Sequence, residues 1–127
     1  MRVTGLDHIV LIVRDATASA AWYREHLDLE PLRMDEWQRG EVPFPSVRID
    51  ATTIIDLLPG EPNGRTHDHL CLVVDDDPVE IASAGRLRVV DGPDTRWGAQ
   101  GYAVSVYVTD PDGHVIELRR YDPATTP

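Results

Sequence analysis

The reading of the chain turns on "DHIVLIV" (residues 7–13) and its echo "DHLCLVV" (residues 68–74). Each is an Asp-His pair running into alternating apolar residues, the pattern of a half-buried strand. His69 stands 61 positions after His8, and the same offset carries Asp7 onto Asp68, Leu11 onto Leu72 and Val13 onto Val74. Far downstream the offset holds again. "TTIIDLL" (52–58) falls on "GHVIELR" (113–119), with Ile55 on Ile116, Asp56 on Glu117 and Leu57 on Leu118. Two distant segments in one register indicate a duplicated module of about 60 residues.

Each half reads as βαβββ. In the first, residues 6–14 alternate as a strand, Asp15 is placed to cap a helix, and Ala16, Ala20, Tyr23 and Leu27 share one helical face. "HLDLEP" stops that helix, with Asp28 where glycine is usual; aspartate tolerates the left-handed conformation better than most residues. Strands follow near 30–37, 44–50 and 53–58, and "PGEPNGRTHD" (59–68) links the halves. The second half gives a strand over 69–75, a short helix from "DDPVEIASAG", and strands near 86–91, 102–109 and 114–121, with "DPDG" (110–113) as a hairpin turn. The modules span 5–58 and 68–121 within a single domain over 1–127.

Strand alternation then sorts the side chains. Ile9, Leu11 and Val13, Leu70, Leu72 and Val74, and Ile116 and Leu118 suit the face covered by helices. His8, His69, Glu117 and Asp56 fall on the opposite face. Buried charge is costly unless paired or bound to metal. Two neutral imidazoles and a carboxylate make a facial set for a first-row divalent ion, with positions left open for a substrate.

Length and composition set the frame. The 127 residues fit one compact domain, and a hydrophobic fraction of 42% supports a core. No apolar run approaches the length of a membrane span, and the N-terminus lacks a signal-peptide pattern, so a cytoplasmic location is expected. The single cysteine, Cys71, excludes an internal disulfide and fits a reducing compartment. The net charge is −10, from 22 acidic residues against 12 basic ones, all arginine. That balance argues against nucleic acid and anionic membranes as partners; it keeps the protein soluble and leans toward a cationic ligand if toward any.

The segments "LDHIVLIVRDATASAAWYREHLDLE" (6–30), "HLCLVV" (69–74) and "DPDGHVIELRRYD" (110–122) together resemble the vicinal oxygen chelate superfamily, whose members include glyoxalase I, extradiol dioxygenases, methylmalonyl-CoA epimerase, fosfomycin-inactivating thiol transferases and bleomycin-binding proteins. The stretch "RWGAQG" (96–101) before "SVYVTDPDG" is similar to a branch of glyoxalase-domain and virulence-associated proteins. The resemblance implies an α+β fold of two tandem βαβββ modules forming an eight-stranded cupped half-barrel around a metal site. It places one divalent ion (Zn, Ni, Mn, Co or Fe(II)) on His8, His69 and Glu117, with Asp56 in the position of the fourth ligand of glyoxalase I. Aspartate is one methylene shorter than the glutamate found there, so it either falls short or binds through water. A homodimer is implied as well.

On that resemblance the leading expectation is an isomerase or lyase of glyoxalase type. Its substrate is a small molecule that chelates the ion through neighbouring oxygens. Glu117 leaves the ion to move a proton, and Asp56 is the second acid/base candidate. Tyr107, ten residues before Glu117, occupies a position where extradiol dioxygenases and fosfomycin transferases carry a substrate-contacting tyrosine, so both remain alternatives; packing over the sheet is its other reading. The dioxygenase acid/base histidine and the potassium-binding loop of the transferases are not found. A third alternative is an acidic binding protein that sequesters a cationic antibiotic.

Other residues carry smaller expectations. Arg119, on the face of Glu117, holds an anionic substrate group or makes an ion pair at the rim. Arg96 and Trp97 lie in a Gly-flanked loop that could act as a lid over substrate. Cys71 faces the cup near His69, as packing or as a thiol sensitive to oxidation. His67 reads as a loop residue, His114 as solvated and His26 as a helix-end cation. Trp37 and Phe44 line the mouth or pack between strands.

Overall fold

In the computed structural model the described residues are 1–61, 67–109 and 115–122. The expected turn at 110–113, His114 and the middle of the linker lie outside them. Contacts divide the chain into two compact units, Ile9–Asp68 and Met1–His8 with His69–Pro127.

The unit Ile9–Asp68 holds the second half of β1 (Val3–Val13), then α1 (Ala16–Leu27), β2 (Glu30–Leu32), α2 (Met34–Gln38), β3 (Ser46–Asp50) and β4 (Thr53–Pro59). The strands are hydrogen-bonded in the order β2-β3-β4-β1. The Asp15 side chain accepts from the Ala18 amide at 3.0 Å, capping α1 as expected. Asp28 ends the helix in the left-handed region at φ 58°, and its amide returns to the Arg24 carbonyl. Ala16 and Ala20 of α1 pack on Val47 and Leu57, with Val13, Tyr23, Trp37 and Ile55 around them. Among these strand residues, Val13 is one that alternation assigned to the helix side.

The strand expected over 30–37 stops at Leu32. Arg33 turns the backbone into the left-handed region at φ 64°, and residues 34–38 form α2 instead. Met34 and Trp37, three apart, then both reach the core, a spacing that suits a helix and not a strand. Asp35 and Glu36 sit in the first turn of α2, where negative charge favours the helix dipole. Trp37 is therefore a packing residue, and Phe44 lies under the guanidinium of Arg33.

The other unit holds the first half of β1, β5 (His67–Val74, from His69 on), α3 (Pro78–Ala84), β6 (Arg88–Gly98), β7 (Gly101–Thr109) and β8 (Val115–Arg119). Their order is β1-β5-β8-β7-β6, with β5 parallel to β8, and β7 antiparallel to both β8 and β6. Asp77 caps α3 by accepting from the Val79 amide, Pro78 opens its first turn, and Gly85 closes it at φ 70°. Ile81 of α3 is buried with Val74, Val106, Val108 and Leu118, and Leu72 and Ile116 pack against them. The helix side is again the predicted one.

The eight strands follow the βαβββ order twice, as expected for this α+β fold, and β2 and β6 are edge strands. Two differences concern the site. His67 begins β5 instead of ending a loop. The expected lid at 96–101 is not a loop: β6 runs through Arg96 and Trp97 to Gly98, and only Ala99 and Gln100 separate it from β7. The strand expected near 86–91 runs on to Gly98, through the dipeptide Gly92-Pro93. Here the ladder absorbs that dipeptide with register shifts between Val89 and Asp94. Among the described residues no helix is long and apolar enough to cross a membrane.

Candidate metal centre

Three strands of one unit carry the centre. β1 brings His8, β5 brings His69 and β8 brings Glu117. The parallel register that pairs Cys71 with Glu117 sets His69 and Glu117 on one face, where the sequence placed them. Both Nε2 atoms, of His8 and of His69, lie 3.0 Å from Glu117 Oε1. The imidazole rings meet edge to face at a centroid separation of 5.5 Å. All three residues are buried, and one ligand atom from each lies within 4.8 Å of the others. Two imidazole nitrogens and one carboxylate oxygen, converged and dry, fit a divalent cation, which would balance charge that burial otherwise penalises.

Around them lies a second ring of polar groups, most of which local sequence patterns leave unmarked. Asp7 is fully buried. His8 Nδ1–H donates to its Oδ2 at 2.7 Å, the Ala99 amide donates to the same oxygen at 3.0 Å, and the Tyr121 hydroxyl donates to Oδ1. Glu117 Oε2 accepts from the Ser105 hydroxyl at 2.7 Å and from Arg119 Nη2 at 2.9 Å. Two signals for this ring stood in the sequence. The Asp before each repeated His marks Asp7, and alternation along β8 carries the Glu117–Arg119 face on to Tyr121.

Charges follow from these contacts. Burial opposes ionisation of Glu117, but hydrogen bonds from His69 and His8 and the charges of His8 and Arg119 hold its carboxyl far below the usual range. Burial likewise works against a charged His8. The hydrogen bonds to Asp7, Cys71 and Glu117 outweigh it and raise His8 to about 12. Asp7 is held below its ordinary value despite burial, through His8, Arg119 and Tyr121. Burial and the Glu117 charge push the Tyr107 hydroxyl up, so it keeps its proton.

The remaining candidates divide. Tyr107 joins the centre: its ring lies 5.3 Å from His69, edge to face, and its Cα pairs with Glu117 across β7 and β8. Cys71 joins it too, buried against His8 and Asp7, with its thiol pushed up to about 12 by burial. Arg119 is not at the rim. It is fully buried, and its guanidinium is engaged by Glu117, Tyr121 and the carbonyls of Arg96, Trp97 and Gly101. Its Nη–H groups face these oxygens, and its Nε lies 4.0 Å from Asp7 Oδ2. Trp97 stacks on Tyr102. Arg96 pairs with Asp91 and Asp94 at 3.5 and 3.6 Å and reaches the Tyr107 hydroxyl. Asp56 belongs to the other unit, where it is buried and accepts from the Ser46 hydroxyl at 2.6 Å.

Comparison with known proteins agrees with this architecture. A virulence protein of Salmonella typhimurium is 30% identical over 95% of this chain and 87% of its own length. A glyoxalase domain-containing protein of Mycosarcoma maydis is 28% identical over 98% of this chain and 72% of its own length. Among solved structures, methylmalonyl-CoA epimerase of Streptomyces coelicolor superposes with a TM-score of 0.67 at 20% identity, covering 94% of this chain and 98% of that one. The Mycobacterium tuberculosis epimerase gives 0.63 at 22% identity, covering 96% and 91%. At those identities the two structures establish the shared fold alone. The profile of one family matches residues 5–118, nearly the whole chain, and with it the protein belongs to the Glyoxalase/Bleomycin resistance protein/Dioxygenase superfamily.

Proposed function

We propose that the chain is a metal-dependent enzyme of glyoxalase type, an isomerase or lyase, working as a cytoplasmic homodimer on a small molecule that offers two neighbouring oxygens. One observation carries this reading: two buried histidines and one buried glutamate bring ligand atoms within 4.8 Å of one another. The family supports it, since its members commonly use a divalent metal. The single-domain organisation and the dimer rest on the sequence resemblance, and the compartment on the lone cysteine.

His8, His69 and Glu117 would hold the ion. Once bound, it supplies Lewis-acid stabilisation of negative charge that develops on a chelating substrate. Tyr107 stays protonated beside His69 and Glu117, so it can donate a hydrogen bond to a substrate oxygen. Glu117 is a ligand in this scheme and not a base. Its Oε2 is tied to Ser105 and Arg119, and a carboxylate held so far below the ordinary range is a poor proton acceptor.

Calorimetric titration of chelator-stripped protein with a divalent ion, beside Glu117→Ala, tests the proposal. About one ion per chain for the wild type and none for the variant is expected. Ion-dependent turnover is then sought among α-hydroxythiol adducts, catechols and epoxides. A wild-type chain that takes up no divalent ion overturns the reading and leaves an acidic binding protein for a cationic drug as its replacement.

A further inference from the structure

We infer that Asp7, Ser105, Arg119 and Tyr121 form a clamp that positions two of the ion's ligands from behind, fixing His8 through Nδ1 and Glu117 through Oε2. His8 Nε2 and Glu117 Oε1 are then the atoms offered to the ion. This rests on the metal-site reading above and deepens it by saying which atoms face the ion and what holds them.

The first jaw is Asp7. A fully buried carboxylate needs donors, and here the donors are part of the site's frame: His8 Nδ1, the Ala99 amide and the Tyr121 hydroxyl, with the Arg119 guanidinium as a countercharge, its Nε 4.0 Å away. A ring N–H locked onto a carboxylate fixes the tautomer and the ring plane, which leaves the Nε2 lone pair pointing at the ion.

The second jaw is Arg119 with Ser105. The two oxygens of Glu117 are shared between them and the histidines, and the Tyr107 hydroxyl also reaches this carboxylate. Oε2 takes Ser105 and Arg119 at 2.7 and 2.9 Å, while Oε1 takes the two histidine Nε2 atoms at 3.0 Å each. Chelating an ion through both oxygens would break two charge-assisted or short hydrogen bonds, so Glu117 binds through Oε1 alone.

Space for the clamp is built into the fold. A Cβ at Gly98 would overlap the Arg119 guanidinium and the Tyr121 hydroxyl. Tyr121 joins the jaws, donating to Asp7 and accepting from Arg119 Nη1 at 3.0 Å. Asp7 and Arg119 also cancel in formal charge, so the clamp orients ligands without changing the charge that Glu117 and the ion set between them.

Titration with Co(II), read both by calorimetry and by the visible absorption of the bound ion, separates positioning from mere structural support. Asp7→Asn and Ser105→Ala should weaken Co(II) binding about 10- to 100-fold, with a changed spectrum. Tyr121→Phe, which removes one hydroxyl and preserves the ring, should weaken it less, in the same direction. Asp7→Glu should recover part of the affinity lost in Asp7→Asn. Variants that melt earlier yet bind Co(II) with wild-type affinity and spectrum overturn the clamp and leave the metal site standing. A wild type that binds no Co(II) overturns the metal site and the clamp together. If Asp7→Asn does not fold, Ser105→Ala and Tyr121→Phe still decide.

Discussion

The dipeptide Arg119-Arg120 offers a sharp test, because the two neighbours should behave as opposites. Arg119 is fully buried and makes five N–H contacts to oxygen: Glu117 and Trp97 at 2.9 Å, Tyr121 at 3.0 Å, Arg96 at 3.2 Å and Gly101 at 3.3 Å. Arg119→Met keeps the aliphatic stem and removes the charge. Glu117 and Asp7 lose their shared cation, and three backbone carbonyls of the β6–β7 hairpin lose a donor. Removing one partner from a buried ion pair costs about 3–5 kcal/mol. For a chain of 127 residues each kcal/mol moves the midpoint by about 3–5 °C, so Tm should fall by about 10–20 °C. Arg120 is half-exposed and meets Asp77 only at 3.7 Å. A surface pair of that kind is worth less than about 1 kcal/mol, so Arg120→Met should shift Tm by only a few degrees. Both variants are melted at pH 7 in chelator, followed by circular dichroism and calorimetry. An Arg119→Met midpoint within about 3 °C of wild type, or an equal drop in Arg120→Met, would refute the reasoning.

Protons should move when the site is filled. Hydrogen bonds to Asp7, Cys71 and Glu117 overcome burial and raise His8 to about 12, so at neutral pH the ion-free chain carries an imidazolium that an ion must deprotonate. Calorimetry in buffers of different ionisation enthalpy should count about one proton released per ion, and affinity should climb about tenfold per pH unit between pH 7 and 9. By the same shift, the His8 charge stabilises the ion-free fold fully below about pH 6.5 and that contribution is lost as pH rises through about 12. No change of apparent enthalpy across buffers would contradict this. Cys71, buried and raised to about 12, should not react with an aromatic disulfide reagent at pH 8 in native protein and should react with one equivalent after denaturation. Rapid labelling of native protein would show the thiol to be open.

How much of this was legible beforehand depended on whether a residue's role is set by period or by partner. The repeat and the alternation of strands placed His8, His69 and Glu117 on one face, and the same alternation named Leu72, Val74, Ile116 and Leu118 as the helix side. Both are properties of local geometry. The end of α1 at Asp28 was legible for the same reason. Arg119 was not, because alternation shows which face a side chain takes but not whether solvent reaches it. Its burial depends on carbonyls of β6 and on the missing side chain of Gly98, some twenty residues away. The segment around Arg96 and Trp97 reads as a loop because its flanking glycines are local breakers that the long antiparallel ladder overrides. The α2 helix was missed because five residues carry too little periodicity, and the left-handed turn at Arg33 has no signature in an arginine. Asp7 stood in plain view in both copies of the repeat, yet alternation aims it away from His8, and only the folded chain shows the 2.7 Å bond between them.

The bond from Tyr121 to Asp7 joins residues 114 positions apart, and the one from Ala99 to Asp7 spans 92. At synthesis rates of about 5–20 residues per second, Asp7 waits roughly 6–23 s after it is made before Tyr121 exists. Through that interval its carboxylate is hydrated, and the His8 ring has nothing to fix its plane from the far end of the chain. The earlier half of the polypeptide can begin packing α1 during the wait, because Ala16, Val47 and Leu57 are already present. On the proposed site, ion capture of native affinity would belong to the end of biogenesis, and a nascent chain stalled between residues 117 and 120 would carry every proposed ligand without the Tyr121 hydroxyl that helps aim them.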